Sequence, residues 1–284
     1  MNIKSIARRI GKGEFHYFLG RFNTVRRAHS RIQSVRDAFG RRHALVPLSC
    51  TSLFHTENVR QVVANIRAEA VHIGFQLPPH IIKEIDAFAR TEPLHPGNNP
   101  DGQEFYYQDV NRGYAADGRA VPLGGIRNPI RCPAIRRVVY DPNLLEVVKG
   151  YLGYAPRRVL PILCWTFASD FTDAQRRDLK HHVIDYHYDV GGFNFVHANF
   201  YIVDTDRHSG AHMMMRRSHD RKPLRMLLGS AVANETDVRR EYGIDNEILI
   251  EGPAGTGFIQ DTSCYHRATA ATRGDRLMLA VRFS

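Results

Sequence analysis

Residues 185–189 read Asp185-Tyr186-His187-Tyr188-Asp189. On an extended backbone, positions i and i+2 point to the same side. His187 and Asp189 therefore aim one imidazole and one carboxylate at a common point. A second imidazole from a distant strand, with His266 as the candidate, completes a two-histidine, one-carboxylate face. That set suits a divalent iron, because about three coordination positions stay open for co-substrate and oxygen. His-x-Asp alone is a weak signal. With 15 histidines in 284 residues, about one such tripeptide arises by chance. His55-Thr56-Glu57 is a near-match and reads as a helix start. The bland alternative for His187 is a surface or core histidine held by a hydrogen bond. The context downstream decides between the two.

From Ile184 onward the pattern is β. Strand-like pieces fall at 195–203, 210–216, 248–250, 257–260, 265–268 and 276–283, with Arg273-Gly274-Asp275 as a hairpin turn. Residues 223–230 and 236–242 read as helical or irregular. Several short strands separated by turns suggest an antiparallel barrel or jelly roll. The upstream half is mixed. Thr56 looks like the N-cap of a helix running to about 70, with Val59, Val62, Val63 and Ile66 on its apolar face. A short strand at 70–75 follows, and Leu77-Pro78-Pro79 opens a helix with Ile81, Ile82, Ile85 and Phe88 inward. Residues 93–102 form a loop, 103–130 hold short strand pieces joined by glycines, 143–152 is a helix and 158–167 a strand.

Length and composition bound the answer. A chain of 284 residues with 43% hydrophobic content is one large domain with appendages. It has no apolar run of about 18 residues for a membrane span, and its start lacks the apolar core of a signal peptide. Cys50, Cys132, Cys164 and Cys264 lie far apart and form no metal knuckle, which suits a reducing cytoplasm. The net charge of +10 sits almost wholly in residues 1–42, where eleven Lys and Arg face only Glu14 and Asp37, a net +9. This segment is a basic amphipathic arm. Ile3, Ile6, Ala7 and Ile10 follow helical spacing, then Phe15, Phe18, Leu19 and Phe22, then Ala28, Ile32, Val35 and Phe39. The arm packs on its own domain or a partner, or touches an anionic membrane surface from the cytoplasmic side. Nucleic acid is the least favoured partner, since the arm carries charge but no nucleic-acid motif.

The order of motifs in residues 184–284 resembles the phytanoyl-CoA dioxygenase family of iron(II)- and 2-oxoglutarate-dependent oxygenases. The matching pieces are His187-Tyr188-Asp189, Asp204-Thr205-Asp206 through Gly210 to Ser218-His219, Gly255-Thr256-Gly257-Phe258, His266, and Arg276 ten residues later. The helix, strand, Leu-Pro-Pro, helix order at 57–90 resembles the same family. Two departures stand out. Arg216-Arg217 replace the family's Pro-Gly before Ser-His, and Ala268 replaces a hydroxyl residue. Asp189 is intact, which argues against the halogenating variants of this chemistry.

The resemblance implies a fold that is mainly β with flanking helices (α+β), a double-stranded β-helix or cupin-like jelly roll. Its core would lie at about 158–284, within an oxygenase domain at 43–284 that follows the arm at 1–42. It implies Fe(II) held by His187, Asp189 and His266, with 2-oxoglutarate and O2 as co-substrates. Arg276 would bind the distal carboxylate of 2-oxoglutarate, since a guanidinium takes a carboxylate bidentately; Arg282, on the same strand face, is the reserve. Asn199 and Tyr201 fall where the family lines the co-substrate. Trp165 lies on a strand that can face the pocket or pack in the core. His181, His182, His197, His208, His212 and His219 read as satisfied structural or surface histidines. The implied activity is hydroxylation of a small-molecule or lipid-linked substrate coupled to oxidative decarboxylation of 2-oxoglutarate. The alternatives are a non-catalytic metal-binding jelly roll and a basic nucleic-acid-binding protein acting through residues 1–42.

Overall fold

The computed structural model describes residues 15–40, 44–54, 58–97, 99, 101–179 and 184–284. Ile3, Ile6, Ala7, Ile10, Thr56, His181 and His182 lie outside the described residues. The helices are α1 (His16–Leu19), α2 (Asn23–Ala38), α3 (Val59–Glu69), α4 (Pro79–Thr91), α5 (Pro133–Val139), α6 (Pro142–Leu152), α7 (Asp173–Asp178), α8 (Leu224–Leu228) and α9 (Glu235–Tyr242). The strands are β1 (Val71–Gln76), β2 (Leu94–Pro96), β3 (Leu123–Ile126), β4 (Val159–Thr166), β5 (Val196–Tyr201), β6 (His212–Met215), β7 (Glu247–Ile250), β8 (Thr256–Gln260), β9 (His266–Ala268) and β10 (Arg276–Phe283). A seven-stranded antiparallel sheet runs β1-β8-β5-β10-β4-β3-β2, and a three-stranded sheet runs β7-β6-β9. This is the mainly β jelly roll with flanking helices that the family resemblance implies.

Local chemistry explains the boundaries. α3 is capped by Asn58, whose side chain accepts from Gln61 N. Pro79 and Pro142 sit in the first turns of α4 and α6, where a missing N–H costs nothing. α5 was not foreseen, because only seven residues long it carries no full amphipathic repeat. Arg273-Gly274-Asp275 is not a hairpin turn. β9 pairs with β6, while β10 pairs with β4 and β5, so this turn carries the chain from one sheet to the other. The large sheet also recruits β1, β2 and β3, so it draws on residues well upstream of 158.

Alternation along the strands divides the interior. Leu277, Leu279, Val281 and Phe283 of β10, with Val196, Ala198 and Phe200 of β5, pack against the helices on the outer face. Arg276, Met278, Ala280 and Arg282, and their neighbours His197, Asn199 and Tyr201, face the space between the sheets. Trp165 belongs to the outer layer. Its Nε1 donates to Ala89 O at 3.3 Å and its ring lies 4.3 Å from Tyr107, so it does not face the cavity. The small sheet is backed by a third cluster of Tyr186, Tyr188, Met215, Met226, Val238 and Tyr265.

The arm is part of this fold. α2 turns Arg26 and Gln33 inward. Arg26 Nη2 donates to Asp261 Oδ2 at 2.8 Å and to Asn194 Oδ1 at 2.9 Å, and Nη1 donates to Ser263 Oγ. Tyr151 also donates to Asp261. Arg157 bridges to Gln33 and Asp37. The apolar stripe predicted for this helix faces solvent instead: Ile32, Val35 and Phe39 are 53%, 57% and 74% exposed. The charge placed on the arm therefore has a structural use, at Arg26, that its basic composition hides. No helix among the described residues is long and apolar enough to cross a membrane.

Burial alone would raise the Asp261 carboxyl, but the Arg26 guanidinium and the hydrogen bonds from Tyr151 and Ser263 hold it well below the usual carboxylate range. A depressed carboxyl stabilises the fold above the ordinary value of about 3.9 and loses that contribution as pH falls below it. Removing one partner of a buried pair leaves an uncompensated charge and costs about 3–5 kcal/mol. Arg26→Ala is thus expected to lower unfolding stability by that order in urea titrations at pH 7, with a smaller loss near pH 3. Equal stability of the two proteins at pH 7 would show that the arm is not a structural part of the domain.

Candidate metal centre

The segment Asp185–Asp189 works because its parity splits cleanly. Tyr186 and Tyr188 are buried in the cluster behind the small sheet, so His187 and Asp189 take the opposite side. His187 lies opposite His266 in an antiparallel bridge. His187 N donates to His266 O at 2.9 Å, and His266 N donates to His187 O at 2.8 Å. Asp189 N donates to Thr262 O at 2.8 Å. Main-chain pairing alone thereby brings the three side chains together. One ligating atom from each of His187, Asp189 and His266 lies within 4.8 Å of the others. His266 Nε2 is 3.8 Å from Asp189 Oδ2, and the two imidazole centroids are 4.3 Å apart.

Both imidazoles are held in the same way. His187 Nδ1 bonds Asp185 O at 2.8 Å, and His266 Nδ1 bonds Cys264 O at 3.0 Å. A carbonyl only accepts, so each Nδ1 carries the proton and each Nε2 presents a lone pair. This carbonyl support is the usual way a metal-ligating histidine is oriented. Burial, with His187 beside it, pushes His266 down to about 4 against the pull of Asp189, so it is neutral near pH 7. Burial raises Asp189, yet His266, His187 and His197 bring it below its ordinary value. The neutral His266 imidazole and the ionised Asp189 carboxylate are in the states that binding a divalent cation needs.

Arg276 faces the same space between the sheets, beside His212, which stacks on His266. It is buried, with Nη1 donating to Gly210 O and Nη2 to Thr166 Oγ1 at 3.0 Å, while Nε has no partner. No carboxylate faces it among the described residues. Burial lowers its pKa, opposed only by Tyr201 and Cys164. Gly210, with φ +92°, is the residue whose carbonyl orients this guanidinium. Of the two other foreseen contacts, Asn199 leaves its buried Nδ2 unpartnered toward the cavity. Tyr201 is committed: its hydroxyl donates to Ile250 O and accepts from His212 N, both at 2.8 Å, and so ties the two sheets together. Arg282 lies on the cavity face at the far end of β10 from Arg276.

Two histidines read as satisfied are not. His212 stacks on His266 with centroids 5.3 Å apart, and His197 lies within the field of Asp189; the Nε2 of each is buried without a partner. Burial holds His197 at about 4 and His212 well below its usual value. Counting in twos from Asn199 would have placed His197 in the cavity. His219 is tied to Arg67 O at 3.0 Å through Nε2, and His208 stays at the surface. Ser218, the other half of its motif, donates to Met215 O and accepts from Tyr265 N, both at 2.7 Å, and so buttresses the residue before His266.

By sequence the chain matches no family model and no curated protein. By structure it is similar to EvdO2 from Micromonospora carbonacea var. aurantiaca, with a TM-score of 0.54, 12% identity, and coverage of 82% of this chain and 93% of that one. It is also similar to SnoK, a non-heme alpha ketoglutarate dependent carbocyclase from nogalamycin biosynthesis, at 0.52 and 13%, covering 83% and 86%. EctD from S. alaskensis, crystallised with 2-oxoglutarate and 5-hydroxyectoine, matches at 0.51 and 13%, covering 85% and 83%. At such identities the likeness establishes the fold: this chain is built on the same jelly-roll scaffold as those proteins.

Proposed function

We propose that the protein is an iron(II)- and 2-oxoglutarate-dependent oxygenase of the phytanoyl-CoA dioxygenase kind. The observation that carries this reading is the space between the two sheets, which gathers two histidines bonded to carbonyls through Nδ1, one carboxylate, and a buried arginine with no acid partner among the described residues. A metal-binding jelly roll without turnover has use for the first three but not for Arg276. His187, Asp189 and His266 would hold the iron, and Arg276 would take the distal carboxylate of 2-oxoglutarate in a charge-assisted fork. Once bound, iron and 2-oxoglutarate supply the oxidising chemistry. The chain orients the donors through the Asp185 and Cys264 carbonyls. Met214, Ile250 and Phe258 supply an apolar wall between the sheets that excludes water. Hydroxylation of a small-molecule or lipid-linked substrate is the default outcome. SnoK is a carbocyclase and SnoN an epimerase, so products need identifying beyond a gain of one oxygen.

Arg276→Leu is expected to weaken 2-oxoglutarate binding by about 2–5 kcal/mol in anaerobic calorimetry with iron(II), because one partner of a buried charge pair is lost. Unchanged affinity would take the co-substrate away from Arg276. Asp189→Ala should abolish succinate release from 2-oxoglutarate and reduce bound iron to a substoichiometric level by elemental analysis. Full iron occupancy in that variant would place the metal elsewhere.

We further propose that the domain boundary lies near residue 43 only in sequence, and that α1 and α2 present the domain to an anionic membrane surface on the cytoplasmic side. The exposed Ile32, Val35 and Phe39 lie beside exposed Arg31 and Arg36, which fits an interfacial helix. Truncation would remove Arg26, so substitution is the cleaner test. The triple change Ile32→Ser, Val35→Ser, Phe39→Ser should abolish co-sedimentation with anionic vesicles at low salt. Identical sedimentation of both proteins would remove the membrane role.

A further inference from the structure

A rung of three polar side chains crosses the cavity face at the end of the large sheet remote from Arg276. Arg282 of β10 stands opposite His197 of β5, and His197 stands opposite Gln260 of β8. Residues paired across neighbouring strands share a face, with Cβ atoms about 5 Å apart. Arg276 and Arg282 share that face from opposite ends of β10, about 20 Å apart along the strand. The two ends have different electrostatic neighbours. His212 lies in the field of Arg276, His266 and His187, whereas His197 lies in that of Asp189, Arg282 and Asp261. The metal cluster is thus flanked by Arg276 on one side and by the rung on the other.

None of the three is satisfied. Among the described residues Arg282 makes no hydrogen bond, ion pair or ring contact. The His197 Nε2 and Gln260 Oε1 atoms are buried without partners, and Gln260 Nε2 is used on Cys264 Sγ at 3.2 Å. Arg282 is half-buried and covered by the loop glycine Gly191, where an added Cβ would lie 3.0 Å from both its Cδ and its Nη1. Two carboxylates lie near the rung, and both are already committed: Asp261 to Arg26, and Asp189 to the metal cluster. His197 is neutral near pH 7, being held at about 4 by burial. The rung therefore offers one uncompensated positive charge beside a neutral imidazole, with the Gln260 amide oxygen able only to accept.

We propose that Arg282, with His197 beside it, is the subsite that anchors a carboxylate of the substrate to be oxidised. The substrate class is then a small monocarboxylic acid, held by its carboxylate on the side of the metal cluster away from Arg276. This assignment rests on the oxygenase reading of the cavity. A planar guanidinium accepts a carboxylate through two parallel hydrogen bonds. One net charge matches a monoanion, and nearby Asp189 disfavours the second negative charge of a phosphate dianion.

The test uses full-length protein loaded anaerobically with iron(II) and saturating 2-oxoglutarate, which fills the Arg276 site. Benzoate, cyclohexanecarboxylate and hexanoate are titrated calorimetrically, alongside their primary amides. At least one acid should bind, with its amide about tenfold weaker or more. Arg282→Gln should weaken that acid by about tenfold or more, Arg282→Lys should recover part of it, and both should keep wild-type affinity for 2-oxoglutarate. Equal binding of acid and amide, acid binding indifferent to Arg282→Gln, or no acid binding at all would overturn the assignment. Loss of 2-oxoglutarate affinity in Arg282→Gln would also overturn it, by giving Arg282 to the co-substrate. Failure of the wild type to load 2-oxoglutarate would defeat the oxygenase reading instead. The same titrations on unloaded protein would then still decide whether Arg282 selects a carboxylate.

Discussion

The exchanged pair of main-chain hydrogen bonds between His187 and His266 holds the centre together. It joins residues nearly eighty positions apart in the chain and fixes both imidazoles on one side of the small sheet. Everything else at the centre is arranged to keep that pair in register. Tyr186, Tyr188 and Tyr265 fill the opposite side, so a slip by one residue would drive histidines into an apolar cluster. Ser218 clamps the Tyr265 amide, and Thr262 O takes the Asp189 amide. Behind Thr262, the buried Arg26–Asp261 pair anchors the same loop from outside the barrel. The stability of the site thus depends partly on a helix that sequence reading treats as an appendage.

Charge burial gives the cavity its direction. A buried guanidinium without an acid partner is costly, and such groups persist where a ligand completes them. Arg276 is held by a backbone carbonyl and a threonine hydroxyl, which position it without neutralising it. Burial keeps His266 neutral, and the only fixed anion at the cluster is Asp189. This leaves room for a dication between the histidines and the aspartate and for an anion at the arginine. His212 and His197 add unpartnered nitrogen atoms on either side of the cluster and widen the polar part of a cavity otherwise walled by Met214 and Phe258.

Much of this was readable from residue order. Alternation on an extended chain placed His187 with Asp189, and Arg276 with Arg282, without any knowledge of sheet pairing. The spacing of short strands pointed to an antiparallel barrel or jelly roll, and the family resemblance implied the jelly roll. What escaped was non-local. Trp165 has either face available in sequence, and only the helix layer behind β4 decides that it packs against Ala89 and Tyr107. His197 and His212 read as satisfied histidines, although parity with Asn199 points inward for His197. α2 misled for a different reason. Its apolar stripe is real, but the buried face is polar, chosen by Asp261 and Arg157 from distant segments. Arg217 occupies the position where the resemblance expects glycine, and its φ of +64° shows that the backbone kept the glycine geometry.

The decisive experiment is a crystal grown anaerobically with manganese(II) and 2-oxoglutarate, with data collected to show anomalous scattering from the metal. The account predicts one strong peak about 2.0–2.3 Å from His187 Nε2, His266 Nε2 and an Asp189 carboxylate oxygen. The far carboxylate of 2-oxoglutarate should lie against Arg276. A peak at other residues, or a site where the three side chains do not share one ion, would contradict it.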